Sequence, residues 1–147
     1  MRIAIGADHA GFPLKEPTVR WLMERGYDVH DVGTFEEGVS VDYPDFAAKV
    51  GVAVANGEAD FGVLFCGTGL GMAISANKVR GVRAVTCHDL VSARLSRQHN
   101  DANVLTMGGR VVAPELAEEV LATFLETRFD GGRHQRRVEE IAELERS

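Results

Sequence analysis

The chain has 147 residues, 45% of them hydrophobic and 26% charged, which suits one globular domain with a core and excludes a chain too polar to fold. Its formal net charge of -6 opposes general affinity for nucleic acid, although arginines cluster locally near the C-terminus. Two cysteines, Cys66 and Cys87, are too few for a disulfide scaffold, and no Cys-x-x-Cys or His-x-x-x-His spacing points to a metal, so reduced thiols and no metal site are expected.

Residues 2–6 (RIAIG) form a short β-prone run, followed by a turn from Gly6 to Gly11 and a helical pattern over 13–25. Pro17 is expected within the first turn of that helix, where its missing N–H costs little, and Gly26 should close it. Residues 1–7 soon meet Asp8 and His9, unlike a signal peptide. No run approaches the roughly 18 apolar residues of a spanning helix, so a cytoplasmic location without membrane contact is expected.

A second strand is read over 27–32, a polar loop over 33–42, and a helix over 43–56 ended by Gly57. Residues 61–65 make a third strand that runs through Cys66 into glycines at 67, 69 and 71, with a helical segment centred on 72–78. Further strands are expected over 83–86 and 103–107, with a helix over 90–97 between them. Pro114 opens an amphipathic helix whose apolar side should carry Leu116, Val120, Leu121, Phe124 and Leu125. After Gly131 and Gly132 a last helix, about 133–146, carries Val138, Ile141 and Leu144, a stripe expected to pack on a partner subunit.

This strand and helix alternation, with no repeat or linker dividing 1–147, predicts a single α/β domain. The expected architecture is a three-layer α/β/α Rossmann-like sandwich around a five-stranded parallel sheet. Ligands of such sheets bind beyond the carboxyl ends of the strands, where the turns hold Asp8 and His9, Cys66 to Gly71, His88, and Gly108 to Arg110.

The glycines after Cys66 allow close backbone approach and offer N–H groups at a helix start, an arrangement that favours an anion and equally suits a tight turn. Met72 stands where the dinucleotide fingerprint needs its third glycine and where a Cys-x5-Arg phosphatase loop needs arginine. No Walker lysine is present. Cys66, at the end of a strand and beside a helix N-terminus, is placed for proton exchange, whereas Cys87 reads as a core residue. Taken singly, Asp8 reads as an N-cap, and His99 and Asn100 as a C-terminal cap. Arg133 and Arg137 lie one helical turn apart and can face one anion or simply be solvated.

Seven stretches together carry a resemblance that runs end to end: GADHAGF at 6–12, DYP at 42–44, CGTGLGM at 66–72, ANK at 76–78, SRQHND at 96–101, GGR at 108–110 and GGRHQRR at 131–137. The chain resembles the type B ribose-5-phosphate isomerases, a group that also contains galactose-6-phosphate isomerase subunits and related sugar-phosphate isomerases. The resemblance implies cofactor-free interconversion of ribose 5-phosphate and ribulose 5-phosphate through a cis-enediolate, and a homodimer or tetramer with sites shared between subunits. It also suggests the strand order 2-1-3-5-4.

By the same resemblance Cys66 is the base, since the glutamate that some members use would fall at Met72. Thr68 is a hydroxyl residue near the reacting carbons, and the amides of Gly67, Gly69, Leu70 and Gly71 face the enediolate oxygen. His99 assists ring opening, and Asp8 and Asn100 bind hydroxyls. His9, Arg110, Arg133 and Arg137 contact phosphate, with His134 beside them. Other sugar phosphates (galactose, allose or tetrulose phosphate), a non-catalytic sugar-phosphate-binding protein and a nucleotide-binding module are the rival expectations.

Overall fold

A computed structural model describes residues 1–146. Five strands, β1 (Arg2–Ala7), β2 (Asp28–Asp31), β3 (Phe61–Cys66), β4 (Ala84–Thr86) and β5 (Val104–Gly108), form one sheet in the order β2-β1-β3-β5-β4. All four strand pairings are parallel, and Ile5, Val63 and Leu105 line up across its centre. The helices are α1 (Phe12–Glu24), α2 (Tyr43–Ala55), α3 (Leu70–Ala76), α4 (Leu90–Asn100), α5 (Pro114–Glu126) and α6 (Arg133–Leu144).

The apolar runs of the sequence become the inner strands because these are covered on both faces. Ile3, Ile5, Val63, Phe65, Leu105 and Met107 pack against Leu14 and Leu22 of α1, Ala93 of α4, and Val120, Leu121 and Phe124 of α5. Ala4, Leu64 and Val104 face the other way, onto Val50 and Val54 of α2 and Met72 and Ala76 of α3. The short edge strand β2 alternates exposed and half-buried residues instead. The expected three-layer α/β/α architecture and its strand order are both present. Among the described residues no helix is long and apolar enough to cross a membrane.

Four local expectations change. Helix α1 starts at Phe12, because the Asp8 carbonyl accepts from the Phe12 amide and the Gly11 carbonyl from those of Leu14 and Lys15. Pro17 therefore lies beyond the first turn, and the helix forgoes an i to i−4 bond there. On α5 the buried rows run through Ala117, Val120, Leu121, Phe124 and Leu125, which turns Leu116 outward to 37% exposure.

Helix α4 runs three residues past Arg97, because that buried guanidinium gathers the chain beyond it. It donates to Asp101 Oδ1 at 2.9 Å, to the Ala102 carbonyl at 2.6 Å and to the Thr127 carbonyl at 3.2 Å. The rings of Phe61 and Phe124 flank the same guanidinium.

Helix α6 packs Val138 against its own chain, and the Glu145 carboxylate beyond it accepts from the Gly81 amide at 3.0 and 3.1 Å. Ile141, 41% exposed, lies with Leu144 along a groove that also reaches Val82, Ala84 and Asn100.

Candidate active site

The carboxyl ends of β1, β3 and β5 bring three loops together. The Asp8 amide donates to the Phe65 carbonyl at 3.1 Å, the Gly109 amide to the Cys66 carbonyl at 2.8 Å, and the Arg110 amide to the Gly67 carbonyl at 3.0 Å. The Gly108 amide donates to His88 Nε2 at 2.9 Å, a bond that needs the neutral ring. Burial pushes the His88 pKa below the ordinary histidine value, against the pull of Asp89.

These loops enclose a cleft of about 270 Å³, lined by Asp8, His9, Tyr43, Cys66 to Thr68, Gly71 and Arg110. Cys66 is nearly buried, and its Sγ accepts from the Gly69 amide at 3.2 Å. Gly69 supplies that amide from a left-handed turn (φ 82°) where a side chain would be strained. Its carbonyl is held from behind by the hydroxyls of Thr106, at 2.8 Å, and Thr86, at 3.2 Å. Thr68 Oγ1 accepts from the Leu70 amide at 3.2 Å, so two amides of the turn are engaged inside it.

Asp8 Oδ1 accepts from the amides of Ala10, at 3.0 Å, and Gly11, at 2.9 Å. Gly11, not Asp8 as expected, is the N-cap of α1, so these bonds form an Asx-type turn ahead of the helix that holds the carboxylate at the cleft wall. His9 Nδ1 accepts from the Val41 amide at 3.2 Å, which leaves the ring N–H at Nε2. The Arg110 guanidinium lies against Gly67, where a β-carbon would stand 3.1 Å from Nη1.

Tyr43 received no role from sequence reasoning, although the DYP stretch containing it was legible. It opens α2 and lays its ring on Gly71, where a β-carbon would stand 2.5 Å from Tyr43 Cε1. Gly71→Ala must therefore displace the ring into or out of the cleft. We expect kcat/KM to fall about tenfold to a hundredfold with the fold retained, since misplacement of a cleft wall by about 1 Å has effects of that size. Steady-state kinetics and circular dichroism check this together.

The remaining candidates stand elsewhere. Helix α4 returns antiparallel to the strands, so His99 and Asn100 come to the amino end of the sheet, close to Asn103. The Asn103 carbonyl accepts from Gly62 at the start of β3, and its side chain accepts from the Arg83 amide just before β4. Cys66 ends the six-residue strand β3, so the two groups lie at opposite ends of a span of about 17 Å at 3.3 Å per residue. One small ligand cannot touch both within a single chain.

His99 stacks on His134 of α6, with ring centroids 4.3 Å apart and planes 13° from parallel, and Arg133 and Arg137 lie on the same first turns of α6. Desolvation first, then the positive charge of His99, Arg133 and Arg137, pushes the His134 pKa below the ordinary value, with Asp130 opposing. His99, Asp130 and His134 bring one ligand atom each within 4.8 Å of one another. The imidazole lone pairs lie in nearly parallel planes and do not converge, and two arginines add positive charge. With the positive charge of Arg133 and Arg137 beside it, such a cluster can hold an anion.

A family model described as Ribose/Galactose Isomerase matches residues 3–141. The chain is 52% identical to ribose-5-phosphate isomerase B of Escherichia coli K12, over 98% of this chain and 96% of that protein. It is 42% identical to D-erythrulose-4-phosphate isomerase of Pectobacterium atrosepticum, over 99% of this chain and 95% of that one. Among solved structures, ribose-5-phosphate isomerase B of Clostridium thermocellum superposes with a TM-score of 0.97 at 51% identity, covering 99% of this chain and 98% of the other.

Proposed function

The chain belongs to the Ribose/Galactose Isomerase family of sugar-phosphate isomerases, and from that premise we propose that it interconverts D-ribose 5-phosphate and D-ribulose 5-phosphate with Cys66 as the base. The observation that carries this reading is the thiol at the floor of a cleft whose other walls offer a carboxylate, an imidazole N–H and a guanidinium. In the proposed reaction the Cys66 thiolate takes the proton from C2 of the open-chain aldose. The C–H electron pair forms the C1–C2 double bond of a cis-enediolate as charge moves to O1. The thiol returns the proton to C1, and a proton passes from O2 to O1, leaving the ketose.

On this reading the amides of Gly67 and Gly71 and the Thr68 hydroxyl hold the developing oxygen charge, while those of Gly69 and Leu70, engaged inside the turn, brace the Cys66 thiol and the Thr68 side chain. Such donors are worth roughly 2.7 to 4 kcal/mol each where they are preorganised. Asp8 and Asn100 bind hydroxyls, and His9, Arg110, Arg133 and Arg137 bind the phosphate, with His134 beside them. His99 opens the furanose ring.

A complete site on this reading combines the Cys66 cleft of one copy with the His99 end of another, which makes the working unit a homodimer at least. Support comes from the distance between the two clusters and from exposed apolar side chains on α3 and α4: Leu70 at 56%, Ile74 at 64% and Val91 at 56%. The residues 1–147 act on this reading as one domain.

The identity of the P. atrosepticum relative keeps a second substrate in view, a tetrulose phosphate; galactose and allose phosphates are the other rivals. Turnover of each sugar phosphate measured side by side tests the reading, with the highest kcat/KM expected for ribose 5-phosphate. A higher value for another sugar replaces the substrate. Binding without turnover of any makes the chain a sugar-phosphate-binding protein, and thermal stabilisation by NAD or ATP instead revives the nucleotide-binding module.

A further inference from the structure

Among the described residues Lys15 is the only charged side chain with no exposed surface, and the proposed reaction does not use it. Its ammonium donates to Asp31 Oδ2 at 2.6 Å and to Glu16 Oε1 at 3.0 Å. It also lies 4.9 Å from the centroid of the Phe35 ring and 5.6 Å from that of Phe12. Burying an ammonium is costly, and an apolar residue of the same volume usually serves stability as well or better. A buried ion pair is best attested as a device that sets one geometry among several.

The geometry set here is that of the segment 34–42. Its start is stitched to the end of β1, where the Gly33 carbonyl accepts from the Ala7 amide and the Thr34 amide donates to the Ala7 carbonyl, each at 2.8 Å. Its far end donates from the Val41 amide to His9 Nδ1, two residues further along the same chain end. Between these points the segment arches over a hollow of about 340 Å³ beside Phe46 and Lys49, and Phe35 and Val39 are 65% and 46% exposed. Apolar packing therefore does little to hold it. The side-chain anchor is Lys15, through the Phe35 ring above it and through Asp31, whose other oxygen accepts from the Gly33 amide at 2.9 Å.

We infer that Lys15 is a positioning residue for the phosphate end of the cleft: it holds the 34–42 strap so that the Val41 amide keeps the His9 ring turned with Nε2–H towards the ligand. The inference rests on the reading of His9 as a phosphate contact. An imidazole released from Val41 can rotate, and the charge-assisted bond to phosphate is lost for much of the time while the reacting carbons and Cys66 are untouched. The consequence is weaker binding with the chemical step preserved.

The test measures KM for ribose 5-phosphate, kcat, and the competitive inhibition constant of inorganic phosphate in Lys15→Met, Lys15→Arg, Phe35→Ala and His9→Ala enzymes. We expect Lys15→Met to raise KM and the phosphate constant together by about tenfold, the scale of one charge-assisted hydrogen bond, with kcat nearly unchanged and Lys15→Arg restoring both. Phe35→Ala, which removes an exposed ring and should leave folding intact, moves both constants in the same direction and decides the matter if Lys15→Met does not fold. Reduced kcat with both constants unchanged overturns the inference and leaves Lys15 a structural residue. A rise in His9→Ala without one in Phe35→Ala or Lys15→Met overturns it while sparing the phosphate reading of His9. No change in His9→Ala overturns that reading and this inference with it.

Discussion

Cys66→Ala is expected to lower turnover of ribose 5-phosphate by about 10²- to 10⁴-fold, the usual contribution of a positioned general base, while leaving the affinity for inorganic phosphate unchanged. The separation of effects follows from the cleft. The thiol lies at its nearly buried floor, whereas Arg110 and the His9 imidazole line other walls. Alanine keeps the β-carbon and the strand register, so the Gly69 amide loses its acceptor and little else moves.

Cys66→Ser sharpens the test, because serine also offers an oxygen to the Gly69 amide yet does not ionise near neutral pH. It should be as slow as the alanine enzyme, and neither should exchange the C2 proton with deuterium in heavy water by NMR. Rapid exchange in either variant would remove the thiol from the role of base and turn attention to Asp8.

Two variants that are each inactive towards the cyclic substrate ribose 5-phosphate should restore each other in turning it over. Cys66→Ala and His99→Asn chains, co-expressed with different tags, are expected to form mixed dimers with about half the activity of the native dimer, since a two-fold interface generates each shared site twice. One site of the mixed dimer then carries both substitutions and the other carries neither. An unfractionated mixture with random pairing should show about one quarter of native activity, because about half of its dimers are mixed.

The expectation arises from the strand-length separation of Cys66 and His99, which a single chain cannot close without dismantling β3. Purified mixed dimers as inactive as their parents would mean that the His99 end does not complete a Cys66 cleft. His99→Asn alone should also impair the cyclic aldose more than open-chain ribulose 5-phosphate, which needs no ring opening.

Much of the architecture was legible because its signals are local. Pro114 and Gly26 mark helix ends where the structure has them, and Tyr27, beyond Gly26, donates back to the Leu22 carbonyl in the closing turn. The apolar runs before Cys66 and Gly108 could be read as strands because they are short and bounded by turn residues. Helix starts were less secure. Phe12 rather than Pro13 opens α1 because a carbonyl four residues upstream, at Asp8, is available to its amide, a fact of the turn rather than of the helix.

By itself the sequence determined the alternation of strands and helices, the glycine turn around the Cys66 thiol, and, through seven separate motifs, the family; each depends on residue type and short-range spacing. Only the tertiary structure decided where those motifs meet. It seats Tyr43 on Gly71 across two helices, buries Lys15 under a loop that reaches His9, and puts His99 with His134 at the end of the sheet away from Cys66. The reason is geometric: a parallel sheet sends every strand one way and every connecting helix back. Residues at the end of a strand and at the end of its following helix are near in sequence and a strand's length apart in space.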